Sequence, residues 1–145
     1  MQALEHDERP WGWYEVLFDS EYSKVKLITV APQQRLSYQS HEKRQEQWVL
    51  VKGKLTVVRD NVEYTLDTPG ESFTIPRGSK HRAWNKTDEI VEFVEVQTGE
   101  YFGEDDIIRY EDDYERVELE HLKDGNYIGG LTMPEKNTNK LNKNG

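Results

Sequence analysis

Turn signals cut this chain into pieces too short for helices. Lys52-Gly53-Lys54, Asp60-Asn61, Thr68-Pro69-Gly70 and Pro76-Arg77-Gly78 follow one another at short, even intervals. Between and around them lie runs rich in β-branched and aromatic residues, at 24–30, 47–51, 55–59, 62–66, 72–75, 81–84 and 90–97. The first of these alternates polar and apolar residues, the period of a strand with one buried face. Strands this short, punctuated this evenly, predict an antiparallel sandwich or barrel. No long helical period occurs before residue 100, so the predicted class is all-β. The single glycine between the runs at 47–51 and 55–59 reads as a hairpin turn.

The chain has 145 residues, enough for one modest core. It contains no cysteine, which excludes disulfides and thiolate–metal sites. A metal would have to be held by imidazole, carboxylate or amide oxygen. No apolar run approaches a membrane span, and the acidic N-terminus does not read as a signal peptide. A soluble, cytoplasmic protein is therefore expected. A net charge of −9 argues against nucleic acid as a partner, although a locally basic pocket can still take an anion. Segment 104–120 holds nine acids against Arg109 and Arg116, and reads as a solvated acidic surface beside the barrel. The expected barrel covers residues 1–116. Residues 117–145 read as a short C-terminal extension, disordered at its Asn- and Lys-rich end.

Two stretches carry the chemistry. In the first, Gln39 and His41 stand two apart and share one face of a strand. Glu46 follows five residues after His41 and returns to the same pocket from the next strand, which Gly53 closes. In the second, Gly70, Pro76 and Gly78 shape turns, and His81 then brings a second imidazole, with Asn85 after it.

Together these stretches resemble the paired signature of the cupin family. That resemblance implies a double-stranded β-helix, the jelly-roll barrel, holding one divalent metal ion with Gln39, His41, Glu46 and His81. Zinc, manganese, cobalt, nickel and iron all suit such donors. Two positions depart from the general cupin pattern: Gln34 stands near the expected opening glycine, and Gln39 replaces the first histidine. A closer resemblance is to type II mannose-6-phosphate isomerase, where glutamine is common at that position. It rests on Glu8-Arg-Pro-Trp-Gly-Trp-Tyr14, Lys24-Val-Lys26, Gln34-Arg-Leu-Ser37, Ile75-Pro-Arg-Gly-Ser-Lys-His-Arg82, Glu95-Val-Gln-Thr-Gly99 and Tyr101-Phe-Gly-Glu-Asp-Asp-Ile-Ile-Arg109. The family often has histidine after the metal glutamate. Here it is Gln47, which strand alternation turns away from Glu46. The guanylyltransferase domain usually fused to this cupin is absent from these residues, so nucleotide-sugar synthesis is not expected of them.

The resemblance implies reversible conversion of mannose 6-phosphate and fructose 6-phosphate through an enediol. A sugar phosphate is then the expected ligand. A non-catalytic cupin that binds a sugar or sugar phosphate is the alternative. Strand parity places Arg35 on the face of Ser37, Gln39 and His41, as a phosphate clamp. Lys26 and Arg44 are further candidates for binding substrate. Glu95, Lys26 and Arg109 are candidates for the catalytic groups, with Glu95, Glu46 or Lys26 as the base. Trp11, Trp13, Tyr14, Trp48 and Trp84 read as core rather than sugar platforms. A homodimer is left open.

Overall fold

The computed structural model describes residues 2–114; the expected extension, 117–145, lies outside them. Eleven strands form two antiparallel sheets. They are β1 (Glu5–Arg9), β2 (Gly12–Asp19), β3 (Ser23–Val30), β4 (Tyr38–His41), β5 (Arg44–Lys52), β6 (Leu55–Arg59), β7 (Val62–Leu66), β8 (Ser72–Ile75), β9 (His81–Trp84), β10 (Val91–Gly99) and β11 (Ile107–Glu111). One sheet runs β1-β2-β3-β10-β5-β8 and the other β11-β4-β9-β6-β7. This is the cupin double-stranded β-helix. No helix among the described residues is long and apolar enough to cross a membrane.

Of the four turn signals read from the sequence, only Asp60-Asn61 closes a hairpin. Asp60 and Asn61 both take positive φ, the backbone of a two-residue hairpin loop, and join β6 to β7. The hairpin expected at Lys52-Gly53-Lys54 does not form, because β5 and β6 belong to different sheets. Gly53 is instead a corner. Its φ is +90°, and a Cβ there would lie 2.9 Å from the Ile90 carbonyl oxygen and 3.0 Å from Val91 Cγ2. The close approach to β10, rather than a reversal, is what requires glycine. The turns at Thr68-Pro69-Gly70 and Pro76-Arg77-Gly78 also cross between sheets.

The core lies between the sheets. From the first it takes Tyr14, Val16, Ile28, Val30, Trp48, Leu50, Val91 and Phe93, and from the second Leu55, Val57, Leu66 and Ala83. The inward rows change character along their length. On β5 the buried row runs Leu50, Trp48, Glu46, Arg44; on β10 it runs Val91, Phe93, Glu95, Gln97. Antiparallel pairing puts Leu50 opposite Phe93, Trp48 opposite Glu95, and Glu46 opposite Gln97. On the other side of β10, Ile28 faces Phe93 and Lys26 faces Glu95. One end of the barrel is thus apolar, and the other presents polar groups against its floor.

The acidic segment is not merely a solvated surface. A short 3-10 turn, Glu104–Asp106, leads into β11, which pairs with β4 and completes the smaller sheet. Asp106 accepts hydrogen bonds from the Glu42 and Lys43 amides. Glu111 pairs with Arg82 at 3.1 Å, and Asp113 with Arg35 at 2.9 Å. Those carboxylates find partners on neighbouring strands, which the local run of acids does not reveal.

Candidate functional site

His41 ends β4, Glu46 sits on β5 and His81 opens β9, and each offers one donor atom within 4.8 Å of the others. All three side chains are no more than 2% exposed. Glu46 Oε2 is 3.1 Å from His41 Nε2, and Glu46 Oε1 is 3.8 Å from His81 Nε2. His81 Nδ1 donates to the Ser79 carbonyl at 2.9 Å, leaving Nε2 with its lone pair. That Nε2, and Nδ1 of His41, are buried without a hydrogen-bond partner. Orphaned buried ring nitrogens are costly unless something satisfies them. Arg44 Nη2, which can only donate, faces His41 Nε2, so that nitrogen also keeps a lone pair; two imidazole lone pairs beside a carboxylate are what a divalent cation binds, so the residues fit a metal.

Neighbours orient the carboxylate. Arg44 Nε donates to Glu46 Oε2 at 2.9 Å, and Trp48 Nε1 donates to Glu46 Oε1 at 2.9 Å. Burial raises the cost of the Glu46 charge, but its bond to His41 and the charges of His41, Arg44 and His81 outweigh this and hold it well below the usual carboxylate range. Burial pushes His81 down to about 4, so its imidazole is neutral near pH 7 and available to a metal. Arg44 is 4% exposed and lies 3.2 Å from His41 Nε2 through Nη2. Its contacts fix the ligands as much as they face the cleft.

Gln39 lies opposite His81 in one register and opposite Arg109 in the other. Its Oε1 accepts a hydrogen bond from Ser37 Oγ at 3.0 Å. Beside it opens a small cleft toward solvent. Gln39, Lys26, Arg44, Glu95 and Arg109 all line it. Glu95 is buried and takes a hydrogen bond from Gln97 Nε2. Burial, reinforced by the charge of Glu46, pushes its pKa up to about 7, against the pull of Lys26 and Arg44. Lys26 Nζ lies 4.2 Å from the centre of the Tyr14 ring and 3.8 Å from Glu104.

Arg35 is the exception. It does not line the cleft; its Nε and Nη2 donate to the two oxygens of Asp113, both at 2.9 Å, and its Cζ lies 4.7 Å from the centre of the Trp84 ring. The parity argument fails because β4 begins only at Tyr38. Before it the chain is irregular, and the adjacent residues Leu36 and Ser37 both line the cleft. Gln47 behaves as alternation predicts: it accepts from Thr74 Oγ1 at 2.8 Å, on the face away from Glu46. Arg9, Tyr14 and Glu104 also line the cleft and were not among the sequence candidates. Arg9 and Tyr14 stand in the stretch 8–14 that carries the family resemblance, which was the available signal.

The sequence matches the family described as mannose-6-phosphate isomerase C-terminal over residues 1–112. It is 44% identical over 109 residues to the xanthan biosynthesis protein XanB of Xanthomonas campestris pv. campestris (strain B100), covering 75% of this chain and 23% of that protein. It is 42% identical over 110 residues to a mannose-1-phosphate guanylyltransferase of Salmonella montevideo, covering 74% and 23%. The chain therefore spans under a quarter of the length of these curated relatives. Among solved structures, a double-stranded β-helix protein of Klebsiella pneumoniae superposes with a TM-score of 0.60 at 22% identity, over 68% of this chain and 83% of that one. With the buried His-Glu-His cluster in place in a cupin barrel, the chain belongs to the mannose-6-phosphate isomerase C-terminal family.

Proposed function

We propose that this chain is a metal-dependent aldose–ketose isomerase that interconverts mannose 6-phosphate and fructose 6-phosphate. The observation that carries the reading is geometric: Glu95, a buried carboxyl whose pKa burial raises, shares one cleft with Gln39, Lys26 and Arg109 beside the His41-Glu46-His81 cluster. Such a group accepts and returns a proton near neutral pH. The family membership supports the substrate.

In the forward direction the Glu95 carboxylate takes the proton from C2 of the open-chain aldose. The C2–H electron pair becomes the C1–C2 double bond of the enediol, while the former carbonyl oxygen on C1 gains a proton. Delivery of a proton from Glu95 to C1 gives the ketose, the proton lost from the C2 hydroxyl balancing the one gained at the C1 oxygen. Lys26, opposite Glu95 in register, donates to sugar oxygens along this part of the cleft. Arg109 approaches from the other sheet. Arg44 holds Glu46, and Ser79 holds the His81 tautomer. A divalent ion held by His41, Glu46 and His81, with Gln39 at hand, would supply charge stabilisation for the developing negative oxygen. Zinc, manganese, cobalt, nickel and iron are all compatible with this donor set.

The test is a coupled assay for fructose 6-phosphate, on protein stripped and reloaded with each metal, with His81→Ala as control. Metal-dependent turnover that the control loses supports the isomerase. Folded, metal-loaded protein that binds mannose 6-phosphate without turning it over would move the reading to a sugar-phosphate-binding cupin.

A further inference from the structure

The larger sheet orders its polar groups from one edge of the site to the other. Glu46 stands on β5, Glu95 on the adjacent β10, Lys26 on β3, Tyr14 on β2 and Arg9 on β1. The metal cluster and the base therefore lie at one side of the cleft and Arg9 at the other. β10 and β1 are three strand spacings apart, about 14 Å across a flat sheet. Barrel curvature and the length of the Arg9 side chain shorten that span. A phosphorylated sugar has the same polarity, with its reacting carbons at one end and its phosphate at the other.

Arg9 is built to face the cleft. Asp7 and Arg9 stand two apart on β1, on the less exposed side of that edge strand. Arg9 Nη2 is 3.0 Å from Asp7 Oδ2 and donates to the Tyr14 hydroxyl at 3.4 Å. Tyr14, itself buried, donates to Asp7 Oδ2 at 2.9 Å. One carboxylate and one phenol thus hold a single nitrogen of the guanidinium. Among the described residues, Nε and Nη1 have no hydrogen-bond partner, and the side chain is 32% exposed at the cleft wall. The Tyr14 ring also carries Lys26, with Nζ 4.2 Å from its centre and Arg9 Cζ 5.5 Å from it. Two cations on one ring raise the local positive potential, and Glu104, 3.8 Å from Lys26, already brings an anion there. Arg44, by contrast, is engaged with Glu46 and His41, and Arg35 with Asp113.

Building on the sugar-phosphate reading, we propose that Arg9 binds the substrate's phosphate, oriented for that task by Asp7 and Tyr14. Fork-like donation from its unengaged N–H groups suits a phosphate oxygen pair.

The experiment is calorimetric titration of the full chain with inorganic phosphate, in both metal-loaded and chelator-treated protein. Phosphate bound to a metal would disappear on chelation, whereas binding through Arg9 persists. Arg9→Gln should weaken the chelation-resistant binding at least tenfold, and Arg9→Lys should retain part of it. Asp7→Asn, which leaves Arg9 in place but unanchored, should weaken it severalfold. Thermal melts of each variant check that the barrel is folded. No chelation-resistant phosphate binding by the wild-type protein, or equal binding by folded Arg9→Gln, overturns the proposal. Arg9-dependent phosphate binding without fructose 6-phosphate formation would sink the isomerase and keep this subsite.

Discussion

At the scale of residues, the proposed chemistry turns on one carboxyl placed where an apolar side chain would otherwise sit. Glu95 occupies an inward position on β10 between Phe93 and Gln97, so burial raises its pKa from 4.5 to about 7. The folded state then prefers the protonated form. Stability from this group is fully present below the unfolded pKa and is lost as pH rises from 4.5 through 7. Glu95→Gln removes that dependence. In urea titrations of metal-free protein, the variant should gain on the wild type between pH 5 and pH 8, by roughly 3 kcal/mol at the upper end. In the coupled assay of metal-loaded protein the same substitution should cut turnover by about 10²–10⁴-fold, and wild-type kcat/KM should rise with pH between about 5 and 8. Wild-type activity that is flat across that range would remove Glu95 as the base. Glu95 was legible in the sequence because the strand around it was; its raised pKa was not, since that depends on Glu46 and on burial by residues distant in the chain.

At the scale of elements, connections decide what the local pattern leaves open. The runs at 47–51 and 55–59 are strands as the sequence predicts, yet the glycine between them turns a corner between sheets rather than closing a hairpin. Gly53→Ala should therefore cost about 1–3 kcal/mol in denaturant melts, through its positive φ and the contact with Ile90, while leaving the KM for mannose 6-phosphate unchanged. The segment from Glu104 to Asp113 shows the same limit. Its acids read as a solvated run, but β11 pairs with β4, and Asp113 binds Arg35 through both oxygens. Arg35→Gln should lower stability by about 1–3 kcal/mol and leave KM for the phosphorylated sugar within twofold of wild type. A large rise in KM would restore Arg35 to the substrate site and refute its assignment as a tie between Trp84 and Asp113.

At the scale of the whole molecule, the metal cluster joins three strands from both sheets, so occupancy should act on global stability. A metal at a hundred times its Kd adds about 2.7 kcal/mol, and chelation should lower the Tm correspondingly. Trp48 donates to Glu46 and packs 5.8 Å, centre to centre, from His81, so its fluorescence should report loading. His81→Ala should lose both the Tm shift and the fluorescence change. The sequence alone determined the strand class, because alternation and turn residues are local, and it singled out His41, Glu46 and His81, which the structure brings into one cluster, because they sit in motifs whose spacing is itself local. It could not place Arg35, Arg9 or the acidic segment. Which sheet a strand joins, and which side chains meet across the barrel, are set by contacts between residues far apart in the chain. Only the tertiary structure brings β1 and β11 to opposite walls of one cleft, delivering Arg9 and Arg109 to it and leaving Arg35 outside.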